Sequence, residues 1–331
     1  MAVFIIAEAG VNHNGDLGMA MELVAIAAES GANAVKFQTF VPEKVASRNT
    51  PKASYQNKIG NVTHLDMLRG LVLDRDAHAI LFEEARKTGI EFLSTPFDLE
   101  SLDFLLEIGV SKLKLPSGEI TNGQLISAMA KTDKQLIFST GMCFLEDIKR
   151  ALGIVHEVRG SLSDISLLHC TSEYPCPPYE VNLRAMEQMR QTFDLPIGYS
   201  DHTLGIEVSI AATALGASII EKHFTLNREL EGPDHAASLN PIELSHMVRG
   251  IRLIETALGD GVKRPTASEE KNMRVVRKSV VAARDINKGK TIQLEDLCVK
   301  RPGTGISPMK ISEIVGREAV KDFKLDDLIE L

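Results

Sequence analysis

The sequence predicts an α/β protein built mainly on one (β/α)8 barrel, in which eight parallel strands alternate with helices. Eight short runs of aliphatic and β-branched residues, each ending in polar, Gly or Pro residues, are typical of buried parallel strands. Amphipathic stretches such as LEDIKRALGIVHEV separate them, and several end in Gly, a helix-stop signal. An open doubly wound sheet fits less well, because AEAGVNHNG, where the first run ends, lacks that class's phosphate-binding fingerprint.

The predicted strands recur at intervals that leave room for a helix after most of them. In chain order they are FIIAEAG from Phe4, AVKFQTF from Ala34, EFLSTPF from Glu91, KLKLPSGE from Lys112, QLIFSTGM from Gln135, ISLLHCT from Ile165, LPIGYSD from Leu195 and SIIEKHF from Ser218. The longest interval, from Val41 to Leu73, contains the polar segment KASYQNKIGNVTH. Long loops of this kind are often lids or binding loops, and a disordered surface excursion is the alternative interpretation.

The pattern of the chain changes near residue 258, from strand–helix alternation to short strands and turns. We predict a barrel domain at residues 1–258 and a linker at 259–278, where Gly, Pro and mixed charge accumulate. A small β-rich domain follows at residues 279–331. Because so short a domain has a thin core, we expect it to lean on another surface.

Composition and charge exclude several classes of partner. The chain has 331 residues, 44 % of them hydrophobic, with a net charge of −8 and a pI of about 5.7. This negative net charge argues against nucleic acids and anionic membranes as partners. No apolar run reaches membrane-spanning length. The cysteines show neither a CxxC pair nor the density of a disulfide scaffold, which predicts a cytoplasmic location; they are Cys143, Cys170, Cys176 and Cys298.

Charged side chains occupy the C-terminal ends of the predicted strands, where catalytic groups lie in barrels of this kind. Lys36 and Lys114 interrupt apolar runs, although buried strands rarely carry lysine without a partner. Two lysines, several hydroxyls and a cation around one barrel mouth would bind a small, multiply charged anion. The alternative is that each lysine forms a structural ion pair with a nearby glutamate.

Two histidines follow the seventh and eighth predicted strands. His202 lies in PIGYSDHTLG and His223 in SIIEKHFTLNRELEGPDH, with Asp201 and Glu221 as neighbouring carboxylates. Imidazoles from adjacent strand ends can hold one ion, and imidazole suits Mn, Fe, Co or Zn. The alternative is two unrelated histidines, one near a helix cap and one in a surface loop.

A series of motifs extends over nearly the whole chain. In order they are AEAGVNHNGD, VKFQTF, STPFD, LKLPSGE, STGM, LHCTSEYPCPP, GYSDHTLG, EKHFTL and EGPDHAASL. With this set the chain resembles the sialic acid synthases, bacterial nonulosonate synthases that condense phosphoenolpyruvate with an N-acylated hexose. KRPGTGISP resembles the signature of the family's appended antifreeze-like (SAF) domain. The resemblance implies a TIM-barrel transferase that forms a carbon–carbon bond, acting as a homodimer that exchanges its C-terminal domains.

The resemblance also implies roles for individual residues. His202 and His223 would hold a divalent ion, with Mn²⁺ preferred and Mg²⁺ or Co²⁺ as alternatives. Glu119 is the first candidate for proton transfer, and Glu8, Glu221 and Lys36 are further catalytic candidates. The residues that would hold phosphoenolpyruvate are Lys36, Lys114, Ser117, Ser139 and Ser200, and those that would face the sugar are Gln38, Tyr174, Asp234 and, from the other subunit, Arg301.

The chain departs from the family pattern at two places. Ser172 stands where some members have an asparagine that contacts phosphoenolpyruvate, and a serine can donate only one hydrogen bond there. The family's sugar-binding asparagine in the long loop has two competing counterparts, Asn57 and Asn61.

The sequence leaves the sugar open. N-acetylmannosamine would give N-acetylneuraminate, and 2,4-diacetamido-2,4,6-trideoxymannose would give N,N'-diacetyllegionaminate. By resemblance, SDHTLGIEV and AEAG favour the legionaminate product, and GPDH argues against the pseudaminate branch.

Three other classes of function are compatible with the sequence. One is a Schiff-base aldolase or lyase on the same barrel, with Lys114 as the nucleophile. A second is a phosphatase-like or isomerase barrel with a two-histidine metal site. A third is a non-enzymatic binding protein whose C-terminal tail carries the function. The many charged residues at the strand ends argue against this third class.

Overall fold

A computed structural model describes residues 2–52 and 63–331, so Asn57 and Asn61 lie outside the described residues. The chain divides into two compact units, the first ending at Gly259 and the second comprising Asp260–Leu331. The helices of the described ranges include none that is long and apolar enough to cross a membrane.

The strands of the first unit form a parallel barrel. Within the described residues they are β1 Phe4–Gly10, β2 Ala34–Thr39, β3 Glu91–Pro96, β4 Lys112–Leu115, β5 Gln135–Ser139, β6 Ile165–Cys170, β7 Ile197–Asp201 and β8 Ile219–His223. Their hydrogen-bonded order is β3-β2-β1-β8-β7-β6-β5-β4. Because the outermost strands β3 and β4 also contact each other, the sheet closes on itself. The predicted eight-stranded barrel is therefore confirmed.

Helices connect the strands and cover the barrel. They are α1 Leu17–Glu29, α2 Pro42–Val45, α3 His64–Gly70, α4 Arg75–Thr88, α5 Leu99–Ile108, α6 Gly123–Ala130, α7 Leu145–Arg159, α8 Ala185–Phe193, α9 Glu207–Ala214 and α10 Pro241–Leu258. Several have an acidic or amide N-cap, as where Asp74 accepts from the backbone N–H of Ala77 at the start of α4. The same helix ends at Gly89, whose φ of 76° suits a residue without a Cβ.

The barrel interior has an apolar layer below and a polar layer above. A cluster of buried side chains from six strands fills the lower layer: Ile6, Ala34, Leu93, Ile137, Leu168 and Ile219. Alternate residues of a strand face the same side, so the residue two positions further along also points inward. Those residues are Glu8, Lys36, Thr95, Ser139, Cys170 and Glu221. Strand periodicity thus gathers the polar groups at the C-terminal end of the barrel.

The second unit is small and has its own core. It contains helix α11, Ala267–Val276, and an antiparallel pair, β9 Ser279–Ala282 with β10 Leu297–Lys300. The core around the strand pair consists of Val280, Ala282, Ile286, Ile292, Leu297, Ile314, Ala319, Phe323 and Ile329. The β-rich character expected of the tail is confirmed.

Helix α11 lies inside the segment that was predicted to be a linker. The sequence did not predict this helix. None of its residues is buried, and its sequence ASEEKNMRVV carries larger apolar residues only near its end, so no apolar periodicity predicts the helix. Its start is instead set by a capping box. Thr266 accepts from the backbone N–H of Glu269, and the Glu269 side chain accepts from the backbone N–H of Thr266.

Candidate active site

A cavity of about 400 Å³ opens at the C-terminal ends of the barrel strands. This is the face on which barrels of this type carry their active sites. Most of the residues singled out from the sequence line it: Glu8, Lys36, Gln38, Lys114, Ser117, Ser139, Ser172, Tyr174, Ser200, His202, Glu221, His223 and Asp234. The barrel therefore brings together side chains that are scattered over 227 positions of sequence, from Glu8 to Asp234.

Two lysines and two glutamates form a buried charge cluster at the floor of the cavity. The Nζ atom of Lys36 lies 2.7 Å from Glu8 and 3.6 Å from Glu221, and it donates to the Thr95 hydroxyl at 2.9 Å. The Nζ atom of Lys114 donates to Ser139 at 2.6 Å and lies 3.3 Å from Glu221.

Both interpretations of the lysines are thus visible in the same cluster, since each lysine has a carboxylate partner and each also lines a cavity. An anion that enters can replace a carboxylate as the partner of either ammonium group. The charge cluster is therefore suited to exchange partners with a phosphate or carboxylate ligand.

The two glutamates differ in protonation. Burial raises the pKa of Glu8 to about 7, and the nearby charge of Lys36 offsets this only in part. Burial also raises the pKa of Glu221, but the charges of Lys114 and Lys36 outweigh it and hold that pKa well below its usual range. Glu8 can therefore gain or release a proton near neutral pH, whereas Glu221 stays ionised.

The lysines differ as well. Burial lowers the pKa of Lys36, but Glu221 and Glu8 more than compensate, so that its pKa lies above the ordinary value. Burial lowers the pKa of Lys114, and the charge of Glu221 does not fully restore it. Lys36 is thus the more firmly charged of the two.

The two imidazoles predicted to bind a metal lie together. The ring centroids of His202 and His223 are 5.6 Å apart, and Tyr174 lies 4.1 Å from the His202 ring. His202 Nδ1 is 2.6 Å from the carbonyl oxygen of Thr171, so the proton is assigned to Nδ1 and Nε2 keeps its lone pair. His223 Nδ1 is buried and has no hydrogen-bond partner among residues 2–52 and 63–331.

Burial lowers the pKa of His202 to about 4 and that of His223 well below its usual value, so both rings are neutral at pH 7. Neutral imidazole is the form that ligates metals, and a ligating histidine commonly donates its other N–H to a carbonyl, as His202 does. The described residues contain no set of three metal-ligating side chains. The pair fits a cation that takes two ligands from the protein and the rest from water or substrate.

Asp234 and Asp201 have different environments. Asp234 is buried against the cavity with an oxygen 3.9 Å from His223 Nδ1, and burial raises its pKa to about 6. Asp201, expected as a carboxylate beside the histidines, is close enough for its charge to act on His202, but its side chain has other bonding partners. It forms a buried ion pair with Lys222 at 3.0 Å and accepts from Ser209 at 2.6 Å. Adjacent residues of a strand point to opposite faces, so Ser200 faces the cavity and Asp201 faces away from it.

Within the first unit, one predicted site residue is not among those lining the cavity. Glu119 lies on the 3₁₀ turn Ser117–Glu119, and its carboxylate accepts from the Asn122 side chain at 2.6 Å. The structure therefore places Glu8 and Glu221, rather than Glu119, against the lysines. Arg301 follows β10 in the second unit, where it is exposed.

One side of the cavity is lined by residues that were not predicted from the sequence to belong to the site. Val11, Phe40, Met67 and Leu71 form a buried apolar cluster there, and His64 lines the same cavity. Met67 and His64 belong to the interval from Val41 to Leu73, which was interpreted as a lid or binding loop, with a disordered surface excursion as the alternative. A signal was present, because TxxD at Thr63–Asp66 is a helix-start spacing and Leu65, Leu68 and Leu71 recur at helical intervals.

Comparisons with known proteins agree along the whole chain. A model of the NeuB family matches residues 23–263, and a model of the SAF domain matches residues 277–330. The N,N'-diacetyllegionaminic acid synthase of Campylobacter jejuni is 50 % identical over 98 % of both chains. The protein of the same description from Legionella pneumophila is 51 % identical over 96 % of this chain and 90 % of its own.

More distant relatives match less closely. The human N-acetylneuraminate-9-phosphate synthase is 36 % identical over 98 % of this chain and 91 % of its own. A crystal structure of an N-acetylneuraminic acid synthetase from Leptospira borgpetersenii, in complex with citrate, superposes with a TM-score of 0.72 at 36 % identity. That match covers 82 % of this chain and 90 % of the other.

Proposed function

Because this chain belongs to the NeuB family, we propose that it condenses phosphoenolpyruvate with 2,4-diacetamido-2,4,6-trideoxymannose to give N,N'-diacetyllegionaminate and phosphate. The observation that carries the proposal is the near-full-length identity of about one half to two diacetyllegionaminic acid synthases. Identity to the human N-acetylneuraminate-9-phosphate synthase is 36 %, and to a Campylobacter jejuni pseudaminic acid synthase it is 34 %. N-acetylmannosamine is therefore the weaker candidate sugar.

Phosphoenolpyruvate would occupy the charge cluster. Its phosphate and carboxylate need cationic and hydroxyl donors, which Lys36, Lys114 and the cavity-lining serines supply; those serines are Ser117, Ser139, Ser172 and Ser200. Glu221 already accepts from the Ser200 hydroxyl at 2.8 Å, so it keeps a partner when a lysine turns to the ligand. Fixing the ligand in this way supplies part of the rate through positioning.

The reaction joins C3 of phosphoenolpyruvate to the aldehyde carbon of the open-chain sugar. Water then adds to C2, and the resulting tetrahedral species expels phosphate. The aldehyde oxygen gains a proton and the attacking water loses one, so one group that exchanges protons near pH 7 can serve both needs. Glu8 suits that role, because it lines the cavity, has a pKa of about 7 and contacts Lys36 in the charge cluster, whereas Asp234, with a pKa of about 6, lies beside His223. Lys36, beside Glu8, would stabilise its ionised form.

His202 and His223 would hold a divalent ion, for which Mn²⁺ is our first proposal and Mg²⁺ or Co²⁺ are alternatives. When bound, such an ion supplies Lewis-acid polarisation of the aldehyde oxygen. The ring of Tyr174 packs against that of His202, whose Nδ1 also donates to the Thr171 carbonyl, and both contacts would help to orient the imidazole. Asp234 and Gln38, which line the cavity, would face the sugar.

We further propose that the enzyme is a cytoplasmic homodimer with exchanged C-terminal domains, in which Arg301 from one subunit contacts the acyl group at its partner's site. The match of residues 277–330 to the SAF domain supports the identity of the exchanged part. The small core of that unit is consistent with a domain that leans on another surface.

Phosphate release with a panel of acylated hexoses tests the proposal. With phosphoenolpyruvate present, we expect the highest kcat/KM with 2,4-diacetamido-2,4,6-trideoxymannose and a product whose mass matches N,N'-diacetyllegionaminate. Preference for N-acetylmannosamine would overturn the choice of sugar. Phosphate release without any aldehyde would overturn the condensation itself and favour a phosphatase.

A Schiff-base aldolase or lyase is the second candidate, and one observation favours it. Burial lowers the pKa of Lys114, which is how enzymes make a lysine nucleophilic. The contact of Lys114 with Glu221 argues against it, because a charged partner keeps the amine protonated.

A further inference from the structure

The cavity has an apolar side that the chemistry proposed above does not use. We call it the apolar wall and define it by Val11, Phe40, Met67, Leu68 and Leu71, all of which line the cavity. Val11, Phe40, Met67 and Leu71 form a buried cluster of their own, separate from the main core, and Leu68 packs against it. The apolar wall is therefore an ordered surface and not an accidental gap between loops.

Helix α3 presents one polar group beside the apolar wall. His64, Met67 and Leu68 are spaced at i, i+3 and i+4, so they share one face of the helix. Thr63 fixes the start of α3 by accepting from the backbone N–H of Asp66, and Arg69 of α3 donates to Glu43 of α2 at 2.9 Å. These bonds hold the shared face towards the cavity.

His64 is available for a ligand. It lines the cavity, and its Nδ1 atom is buried without a hydrogen-bond partner in the described part of the chain. A buried polar atom left unpaired destabilises a protein unless a ligand or a water molecule forms a hydrogen bond with it. Burial and the nearby Lys52 lower the pKa of His64, so the ring is neutral at pH 7 and can donate from one nitrogen and accept at the other.

The two sides of the cavity suit the two ends of the proposed sugar. The aldehyde end must meet phosphoenolpyruvate at the charge cluster, so the C4–C6 end extends elsewhere in the same cavity. In 2,4-diacetamido-2,4,6-trideoxymannose that end carries a C6 methyl group and an acetamido group, where N-acetylmannosamine carries hydroxyls. Methyl groups are stabilised against an apolar surface, whereas a hydroxyl buried there without a partner is destabilised.

Resting on the function proposed above, we propose that the apolar wall selects the deoxygenated, diacetamido sugar and that His64 Nδ1 forms a hydrogen bond to its 4-acetamido group. An acetamido group offers both a carbonyl acceptor and an N–H donor, so either tautomer of His64 can pair with it. His64 and the apolar wall are in this sense specificity-determining, and they take no part in the chemical step.

The test compares the two sugars in single variants. His64→Ala should lower kcat/KM for the diacetamido sugar about three- to tenfold, as expected for the loss of one uncharged hydrogen bond, with little change for N-acetylmannosamine. The KM for phosphoenolpyruvate should stay the same. His64→Asn, which restores a short donor and acceptor, should recover most of the loss. His246→Ala, at an exposed histidine of α10, is the matched control and should change neither sugar.

A second variant tests the apolar wall independently. Leu68 is only half-buried, so Leu68→Asn can add polarity with little damage to the fold, and Leu68→Met is its apolar control. We expect Leu68→Asn to reduce the preference for the diacetamido sugar about three- to tenfold and Leu68→Met to leave it unchanged. Thermal unfolding midpoints of all variants show whether each one is folded.

The outcomes separate this inference from the proposed function. A parent enzyme that turns over neither sugar would overturn the proposed function and this inference with it. The inference alone would be overturned if the parent enzyme prefers the diacetamido sugar and both His64→Ala and Leu68→Asn keep that preference. Equal losses with both sugars would make His64 a structural residue and would also overturn it.

Discussion

The ammonium group of Lys36 lies 2.7 Å from the carboxylate of Glu8, and both side chains are buried at the floor of the cavity. The pKa of Glu8 is nevertheless raised to about 7, because burial outweighs the attraction of Lys36. The pair therefore combines a lysine that stays charged with a carboxyl group that titrates near neutral pH. This combination can bind an anion and move a proton within one contact.

Replacing Glu8 tests its proposed proton transfer. Glu8→Gln should lower kcat about a hundredfold or more, because general acid–base groups contribute on the order of 10² to 10⁴. The pH–rate profile of the parent should show a transition near pH 7 that the variant lacks. Glu146→Gln, at an exposed glutamate of α7, should keep the parent profile. An unchanged profile in Glu8→Gln would assign the proton transfer to another group.

The same residue affects stability in a definite direction. The pKa of Glu8 is higher in the folded protein than its model value of 4.5, so the folded state binds more protons between pH 4.5 and about 7. The contribution of Glu8 is therefore fully present below pH 4.5 and is lost as the pH rises through 7. Denaturant unfolding of the parent and of Glu8→Gln from pH 5 to 8 should show the parent losing stability relative to the variant. A parent that gains stability over this range would contradict the assignment.

The histidine pair can be tested by substitution and metal analysis. His202→Ala and His223→Ala should each abolish condensation while leaving the fold intact, because each removes one of two proposed protein ligands. Chelation should inhibit the parent, and added Mn²⁺ should restore it. The checks are metal content, turnover and circular dichroism, with His246→Ala as the control. Full metal content and near-normal activity in either variant would show that the site is misassigned.

Lys36→Ala and Lys114→Ala should weaken the binding of phosphoenolpyruvate more than the binding of the sugar. Loss of a charge-assisted hydrogen bond of roughly 1.5–3 kcal/mol corresponds to about ten- to a hundredfold in affinity. Lys36→Ala also removes the ion-pair partner of buried Glu8, which destabilises the fold. Lys114→Ala should destabilise it less, because Glu221 keeps Lys36 and Ser200 as partners. The double variant Lys36→Met with Glu8→Gln removes both charges and should recover stability but not the affinity for phosphoenolpyruvate. Equal damage to both substrates, together with lower thermal stability, would indicate purely structural ion pairs.

Borohydride trapping with pyruvate separates the two candidate chemistries. A Schiff-base enzyme would form a stable adduct at Lys114, detected as a mass increase on the peptide that contains KLKLPSGE. We expect no adduct, because Lys114 contacts Glu221 and is proposed to bind phosphoenolpyruvate. An adduct that Lys114→Ala abolishes would favour the aldolase.

The proposed exchange of C-terminal domains can be tested by mixing variants. Arg301→Ala should raise the KM for the sugar and leave the KM for phosphoenolpyruvate unchanged. When Arg301→Ala and His202→Ala subunits exchange, heterodimers contain one site with an intact barrel and an intact arginine from the partner. Part of the activity should return, measured after mass spectrometry has confirmed exchange. No recovery would mean that Arg301 acts within its own chain or not at all.

The sequence by itself determined the barrel and the order of its strands. Buried parallel strands require apolar runs, which made the strands visible in the sequence. Because every second residue of a strand faces the same side, Lys36, Lys114 and Glu221 could be assigned to the barrel mouth from sequence alone. The ordered motifs also identified the family, which the matches over residues 23–263 and 277–330 confirm.

Only the tertiary structure decided which charges meet and what completes the cavity. Periodicity assigns a face but no partner, so the contacts of Lys36 with both Glu8 and Glu221 depend on how neighbouring strands are staggered around the barrel. The apolar wall depends on α3, whose short pattern was obscured by the polar segment before it. That wall forms only because packing brings residues distant in sequence, such as Val11 and Met67, into one cluster.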